Sequence, residues 1–216
     1  MEQLHGVTVY SIWHTLTEQA RENLVKQMCN ILKNIHTMPY DYLPERKVSH
    51  SMLKTMQDSF NLNIDILQKR GFDTSFVKKV YDKLPSIFAE SKNGLVYNDA
   101  HFDNFLLVGD KLYIIDFDRV RYCSIDYELM IIKSMLDNPK KFASEQDEDN
   151  VEFDQYKNVY GYYQKYYPQL FEFDNLADRL FIYQFIYRLG HGYEYNRNDW
   201  IEQELNLLQQ HFKEQN

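Results

Sequence analysis

The side chains that could do chemistry are concentrated between Gly94 and Asp118, in Leu95-Val-Tyr-Asn-Asp99-Ala-His101-Phe-Asp-Asn104-Phe-Leu-Leu and then Leu112-Tyr-Ile-Ile-Asp116-Phe-Asp118. An aspartate leaving a strand, an asparagine five residues later where a hairpin starts, and an aspartate closing that hairpin would bring three oxygen ligands to one edge of a sheet. Hard oxygen ligands of this kind suit magnesium. Phosphoryl transfer needs little covalent help from a protein: a base or orienter for the attacking hydroxyl, and oxygen ligands for the metal that bridges the nucleotide phosphates. Asp99 would supply the first, and Asn104 with Asp116 the second. Both metal-ligand side chains are expected to face a solvent-filled cleft. The competing reading is that these are ordinary turn residues around a hairpin, since Asp and Asn favour turns by themselves.

The elements that must position these groups follow from periodicity and turn signals. Leu95-Val96-Tyr97 reads as a short strand, and Phe105–Val108 with Leu112–Ile115 reads as a hairpin turning at Gly109-Asp110-Lys111. Upstream, Leu24, Met28, Ile31, Leu32 and Ile35 fall at helical spacing between Thr17 and His36, with Thr17 as the cap. Residues 38–44, with prolines at both ends of the stretch, read as an extended loop. Two further helices are expected around Met52, Met56 and Phe60 and around Phe76, Val80 and Leu84, the second ending at Pro85. From Ile125 onward the pattern is helical, with a stripe of Tyr156, Val159, Tyr160, Tyr163 and Tyr167 read as packing, and a last helix pair holding Phe181, Phe185, Leu189, Trp200 and Leu205. The acidic run 145–152 reads as a solvated loop or helix start.

Composition agrees with a mainly α fold carrying a small β-hairpin. The 216 residues include 18 Tyr and 14 Phe but only 7 Gly and 5 Pro, which favours helices over a many-turned β fold. A net charge of −8 argues against gripping nucleic acid, which needs a basic face. Cys29 and Cys123 lack metal-ligand spacing and read as reduced thiols. With no apolar run long enough for a bilayer and no leader-like start, a soluble, cytoplasmic protein with no membrane partner is expected.

The two motifs together resemble the aminoglycoside phosphotransferase and choline kinase group of kinase-like enzymes. There a loop of the form His-Gly-Asp-x-His-x-x-Asn precedes a hairpin ending in Ile-Asp-Phe; this chain reads Tyr97-Asn98-Asp99-Ala100-His101-Phe102-Asp103-Asn104 and Ile115-Asp116-Phe117, departing from the pattern at Tyr97 and Asn98. The resemblance implies that Asp99 is the catalytic base, that Asn104 and Asp116 bind Mg2+, and that Leu106 and Ile115 line the floor under the adenine of ATP or GTP. It makes His101 a loop organiser and leaves Asp103 and Asp118 solvated or behind the ligands. In Asp126-Tyr-Glu128-Leu, Glu128 takes the place of the acid that braces the catalytic loop, and the helix through Leu32 and His36 resembles the family's helix ending in Leu-His. Residues 1–10, including Leu4, resemble the linker whose backbone would hydrogen-bond adenine; residues 11–216 resemble the kinase-like C-terminal lobe. The N-terminal β-rich lobe, with its phosphate-covering loop and lysine, is expected to be absent from these residues. The surface that would meet it, near Gly94–Val96 and the Leu106–Ile115 hairpin, is then expected to stay exposed or be covered by self-association.

The implied activity is transfer of a γ-phosphoryl group to a hydroxyl of a small molecule, an aminoglycoside or amino alcohol fitting the acidic chain. Two rivals stand beside it. A kinase-like binding module would keep the fold without turnover. A metal-dependent phosphoesterase could also begin with a strand followed by Asp99-Ala-His101, but would need further His and Asn ligands, and Gly190-His191-Gly192 has no such motif before it.

Overall fold

The structure is a computed structural model that describes residues 5–213. It opens with a two-residue strand β1 (Val7–Thr8) and a one-turn helix α1 (Val9–Ile12), followed by the long helices α2 (Glu18–His36), α3 (Met52–Lys69) and α4 (Ser75–Ile87). Four short strands come next, β2 (Asn93–Val96), β3 (Phe105–Val108), β4 (Lys111–Ile114) and β5 (Arg121–Ser124). Helices α5 (Leu129–Asp137), α6 (Val159–Tyr166), α7 (Leu176–Glu194) and α8 (Asn198–Lys213) complete the chain. The protein is thus mainly helical with small antiparallel sheets.

The chain divides into two compact units, one formed by residues up to His50 with Lys92–Phe173, the other by Ser51–Ser91 with the residues from Asp174 on. All candidate site residues belong to the first. There, β1, β3 and β4 form one sheet and β2 pairs with β5 in another, all antiparallel. Helix α2 starts as its composition demands: the Thr17 hydroxyl accepts the Ala20 N–H, satisfying a donor that the first turn leaves free. It ends against β2, and the approach is so close that a Cβ on Gly94 would lie 2.7 Å from the His36 carbonyl oxygen. Only glycine fits there.

The second unit packs α3, α4, α7 and α8. Phe60 and Phe185 meet in its core at 6.1 Å. The guanidinium of Arg179, fully buried, donates to the carbonyls of Ile87 (3.3 Å) and Glu90 (3.0 Å) and lies 4.7 Å from the Phe88 ring centroid. A charge placed on the carbonyls at the end of α4 is favoured by the helix dipole and is desolvated only because those donors are used.

The structure corrects several expectations. The hairpin turns at Gly109-Asp110, with Gly109 at φ 59, so that β4 starts one residue early and Val108 pairs with Lys111. Pro85 lies inside α4 and does not end it, because it falls in the last turn, where one lost N–H bond is tolerated and Phe88 still donates to Leu84. Strand β5 was not anticipated at all. It covers β2, so Gly94, Leu95 and Val96 are buried and form no exposed lobe-facing surface.

Candidate active site

The loop from Tyr97 to Asn104 is fixed at three points. At its start, the Glu128 carboxylate accepts the backbone N–H of Tyr97 (2.8 Å, Oε2) and of Asn98 (3.0 Å, Oε1), while His36 Nε2 stands 3.3 Å from Oε2. Glu128 is fully buried, and such an anion is tolerable only with donors on both oxygens. His36 is itself anchored, its Nδ1 lying 2.7 Å from the Tyr167 hydroxyl. In its middle, Phe102 is buried among Trp13 (4.5 Å) and Tyr156 (5.9 Å), with Tyr10 edge-on at 6.1 Å. Burying such a ring contributes roughly 1.5–3 kcal/mol. At its end, Asn104 Nδ2 donates to the Asp99 carbonyl (2.9 Å) and to Asp99 Oδ2 (3.1 Å).

Asn98 has φ 61, the left-handed region that side chains other than glycine, asparagine and aspartate avoid. The family's glycine is therefore replaced by the residue that best tolerates the same backbone. Its Oδ1 is buried and finds no partner among the described residues, so backbone conformation, not a side-chain bond, accounts for asparagine here.

His101 Nε2 lies 3.0 Å from Asn104 Nδ2 and 3.7 Å from Asp99 Oδ2. A neutral ring can stand with Nε2 beside that amide nitrogen, and Nδ1 is buried without a partner among the described residues. Burial lowers the His101 pKa, opposed by the nearby Asp99 and Asp103 carboxylates, and so favours this neutral ring. Burial likewise raises the Asp103 carboxyl above its usual range, with a hydrogen bond from Thr8 opposing.

Asp116 follows the hairpin. Ile115 N–H donates to the Asn104 carbonyl (3.0 Å), extending the β3–β4 ladder by one pair and setting Asp116 one residue beyond Asn104 across it. Asp116 has φ 59, a conformation that costs roughly 1–2 kcal/mol for an ordinary side chain. Its Oδ1 accepts the Asp118 N–H at 3.3 Å, and the residue is exposed. The loop after it is held by Lys47, whose Nζ donates to the Asp118 carbonyl, and by Tyr97, whose hydroxyl donates to the Ile115 carbonyl.

The structure thus brings Asp99, His101 and Asn104 into contact and sets Asp116 beside them at the hairpin end. Asn104 departs from expectation: it is buried, not set in a solvent-filled cleft, because its nitrogen is engaged by Asp99 and His101. With Nδ2 so engaged, the amide oxygen Oδ1, the atom suited to a cation, is not the one used by Asp99 or His101. Among the described residues no group of three His, Cys, Asp or Glu side chains could hold a metal ion. One carboxylate and one amide oxygen nevertheless fit magnesium, which keeps several waters and takes only one or two protein carboxylates beside substrate phosphates. His191, the further histidine weighed for a phosphoesterase centre, lies within α7. Leu106 and Ile115 are half-buried, in and just after the hairpin strands; Leu4 lies outside the described residues.

Arg119 was not singled out from the sequence. Its Nε lies 3.8 Å from Asp99 Oδ2, with the arginine side chain about half exposed and that of Asp99 14% exposed. The available signal was a base three residues beyond Asp116.

An asparagine-bound aspartate after a strand, a hairpin, and an aspartate at its exit, all carried on a mainly helical body, define the larger lobe of a kinase-like phosphotransferase. The chain belongs to the phosphotransferase enzyme family, whose profile matches residues 1–167. No curated sequence is similar enough to count as a match. Among solved structures it is similar to the gentamicin complex of APH(2")-IIa, at 19% identity and TM-score 0.63, covering 96% of this chain and 69% of that one. It is also similar to ADP-bound aminoglycoside phosphotransferase APH(2'')-Ib, at 22% identity and TM-score 0.62, covering 97% and 69%. Plasmodium vivax ethanolamine kinase aligns at 15% identity and TM-score 0.53, covering 96% and 62%. These likenesses are of fold, and the chain spans about 69% of the first two relatives' length. Among the described residues no helix is long and apolar enough to cross a membrane.

Proposed function

We propose that this chain forms the base- and metal-bearing part of a small-molecule kinase, which moves the γ-phosphoryl group of ATP or GTP to a substrate hydroxyl on an aminoglycoside or amino alcohol. The observation that carries this reading is the contact of Asn104 Nδ2 with Asp99 Oδ2 in a loop whose hairpin exit is Asp116. Asp99 orients the substrate hydroxyl and accepts its proton on the carboxylate. Asn104 Oδ1 and the Asp116 carboxylate would hold magnesium, which when bound would neutralise charge on the nucleotide phosphates. Leu106 and Ile115 form the apolar floor under the base, and residues 1–10, with Leu4, serve as the linker to a nucleotide-covering lobe.

The test offers labelled ATP or GTP with magnesium, and a panel of aminoglycosides, choline and ethanolamine, to the chain alone and to a fusion with the amino-terminal lobe of a structural relative. Transfer by the fusion, lost in Asp99→Asn, is the expected result. Nucleotide binding without transfer to any alcohol would favour the binding module instead.

A further inference from the structure

The tyrosine stripe of α6 ends in a residue that does more than pack. Tyr167 follows the helix with φ −142, its N–H still bonded to the Tyr163 carbonyl at 2.7 Å, and Pro168 keeps the helix from running on. Its buried hydroxyl lies 2.7 Å from His36 Nδ1, and Lys33, one turn earlier on α2, sets its ammonium 5.2 Å from the phenol ring centroid. The other ring nitrogen of His36 stands 3.3 Å from Glu128 Oε2, an oxygen that also accepts the Tyr97 N–H. The three side chains come from the end of α2, from the residue before α5 and from the residue after α6. They form a line that ends on the backbone of the loop carrying Asp99.

The placement of hydrogens along this line follows from what each group can do. An ionised carboxylate only accepts, so Nε2 must carry a hydrogen to bond Glu128. A tyrosine hydroxyl can donate or accept, but if it accepted from Nδ1 its own hydrogen would be buried with no partner among the described residues, which is costly. Burial, with Glu128 and Cys29 nearby, pushes the phenol's pKa up to about 12, so that hydrogen stays on the oxygen. We propose that Tyr167 is a positioning residue for the catalytic loop, acting through His36: its hydroxyl donates to Nδ1, which commits the ring hydrogen to Nε2 and keeps that N–H on Glu128. Glu128 then has three donors on its two oxygens and stays an anion where it grips the Tyr97 and Asn98 N–H groups. The effect on turnover rests on the reading of Asp99 as the base; the placement of the hydrogens does not.

Tyr167→Phe keeps the ring and removes the donor. Tyr163→Phe is the matched control, since Tyr163 lies one turn earlier on α6, is fully buried, and has its hydroxyl 3.4 Å from Met28 Sδ. On the full chain, isotope-labelled at the histidine ring nitrogens, magnetic resonance should show His36 with its hydrogen on Nε2 and Nδ1 as a hydrogen-bonded acceptor, in wild type and control alike. Tyr167→Phe should move the Nδ1 resonance off that position and speed amide exchange at Tyr97 and Asn98 roughly five- to tenfold, the size expected for one hydrogen bond. In the fusion carrying an amino-terminal lobe, the same variant should lower turnover by a similar factor and leave nucleotide affinity unchanged. A hydrogen on Nδ1 in the wild type, or an unmoved Nδ1 resonance in Tyr167→Phe, overturns the donor assignment. Wild-type exchange in Tyr167→Phe, wild-type turnover in its fusion, or equal changes in Tyr163→Phe overturns the positioning role. A wild-type fusion that transfers nothing counts against the reading of Asp99 and not against this one, because the His36 resonances and the exchange rates decide it on the chain alone.

Discussion

The two loops of the candidate site are held by different means. The Tyr97–Asn104 loop is largely buried and bound from within the protein, by both oxygens of Glu128, by Phe102 in its aromatic nest and by the Asn104 amide closing on Asp99. The Asp116–Arg119 stretch is exposed and is held chiefly by groups from elsewhere, Tyr97 and Lys47. A proton-accepting carboxylate must stand in one place before substrate arrives, because misplacement is costly in rate. A magnesium ligand completes its geometry with water and phosphate oxygens, so it can be held more lightly.

The largest expected effect comes from breaking the tight loop. Glu128→Ala orphans two buried backbone donors and should cost about 3–5 kcal/mol of stability in urea unfolding. A loss under ~1 kcal/mol would show that the loop is not fixed from this side. Next, Asp99→Asn in a turnover-competent fusion should lower the rate about a hundredfold or more and leave nucleotide affinity nearly unchanged. Turnover near wild type would move the base elsewhere, with His101 first in line.

Asp116→Asn, by contrast, keeps a residue that tolerates positive φ and should leave stability within ~0.5 kcal/mol. It should weaken magnesium-dependent nucleotide binding roughly tenfold, and calorimetry at varied magnesium would show this. At Asn98 the comparison sharpens further. Asn98→Gly should be neutral within ~0.5 kcal/mol, whereas Asn98→Val should cost about 1–2 kcal/mol, because only the backbone conformation is at stake.

The smallest effect concerns pH. Burial depresses the His101 pKa in the folded chain, so below the ordinary histidine value of ~6.5 the unfolded chain takes up a proton that the folded one does not. The His101 contribution is fully present above that value and is lost as pH falls toward the folded pKa. Stability of His101→Gln, compared with wild type across pH 5–8 by urea titration, should lose less on the acid side.

Much of this was legible in the residues because the signals were local. The Thr17 cap, the apolar spacing of α2 and the strands of the hairpin are all short-range patterns, and the two motifs mark Asp99, Asn104 and Asp116 through their order and spacing. Long-range closure was not legible. Arg121-Tyr-Cys-Ser shows no clean alternation and becomes a strand only because β2 needs a partner, with Val48 bridging to Tyr122 on its other side. Likewise Tyr97 looked like a departure from a motif until its hydroxyl met a carbonyl 18 positions away.

The second unit is assembled from two stretches separated by Lys92–Phe173, and this has a consequence for synthesis. Helices α3 and α4 leave the ribosome with Phe60, Val80 and Leu84 ready to pack and with the Ile87 and Glu90 carbonyls still lacking Arg179. At ~5–20 residues per second, the about 80 residues that intervene keep that pair waiting several seconds for α7 and α8. Throughout that interval the apolar faces of α3 and α4 lack the helices that bury them, and the arrival of the stretch from Asp174 on decides when they are covered.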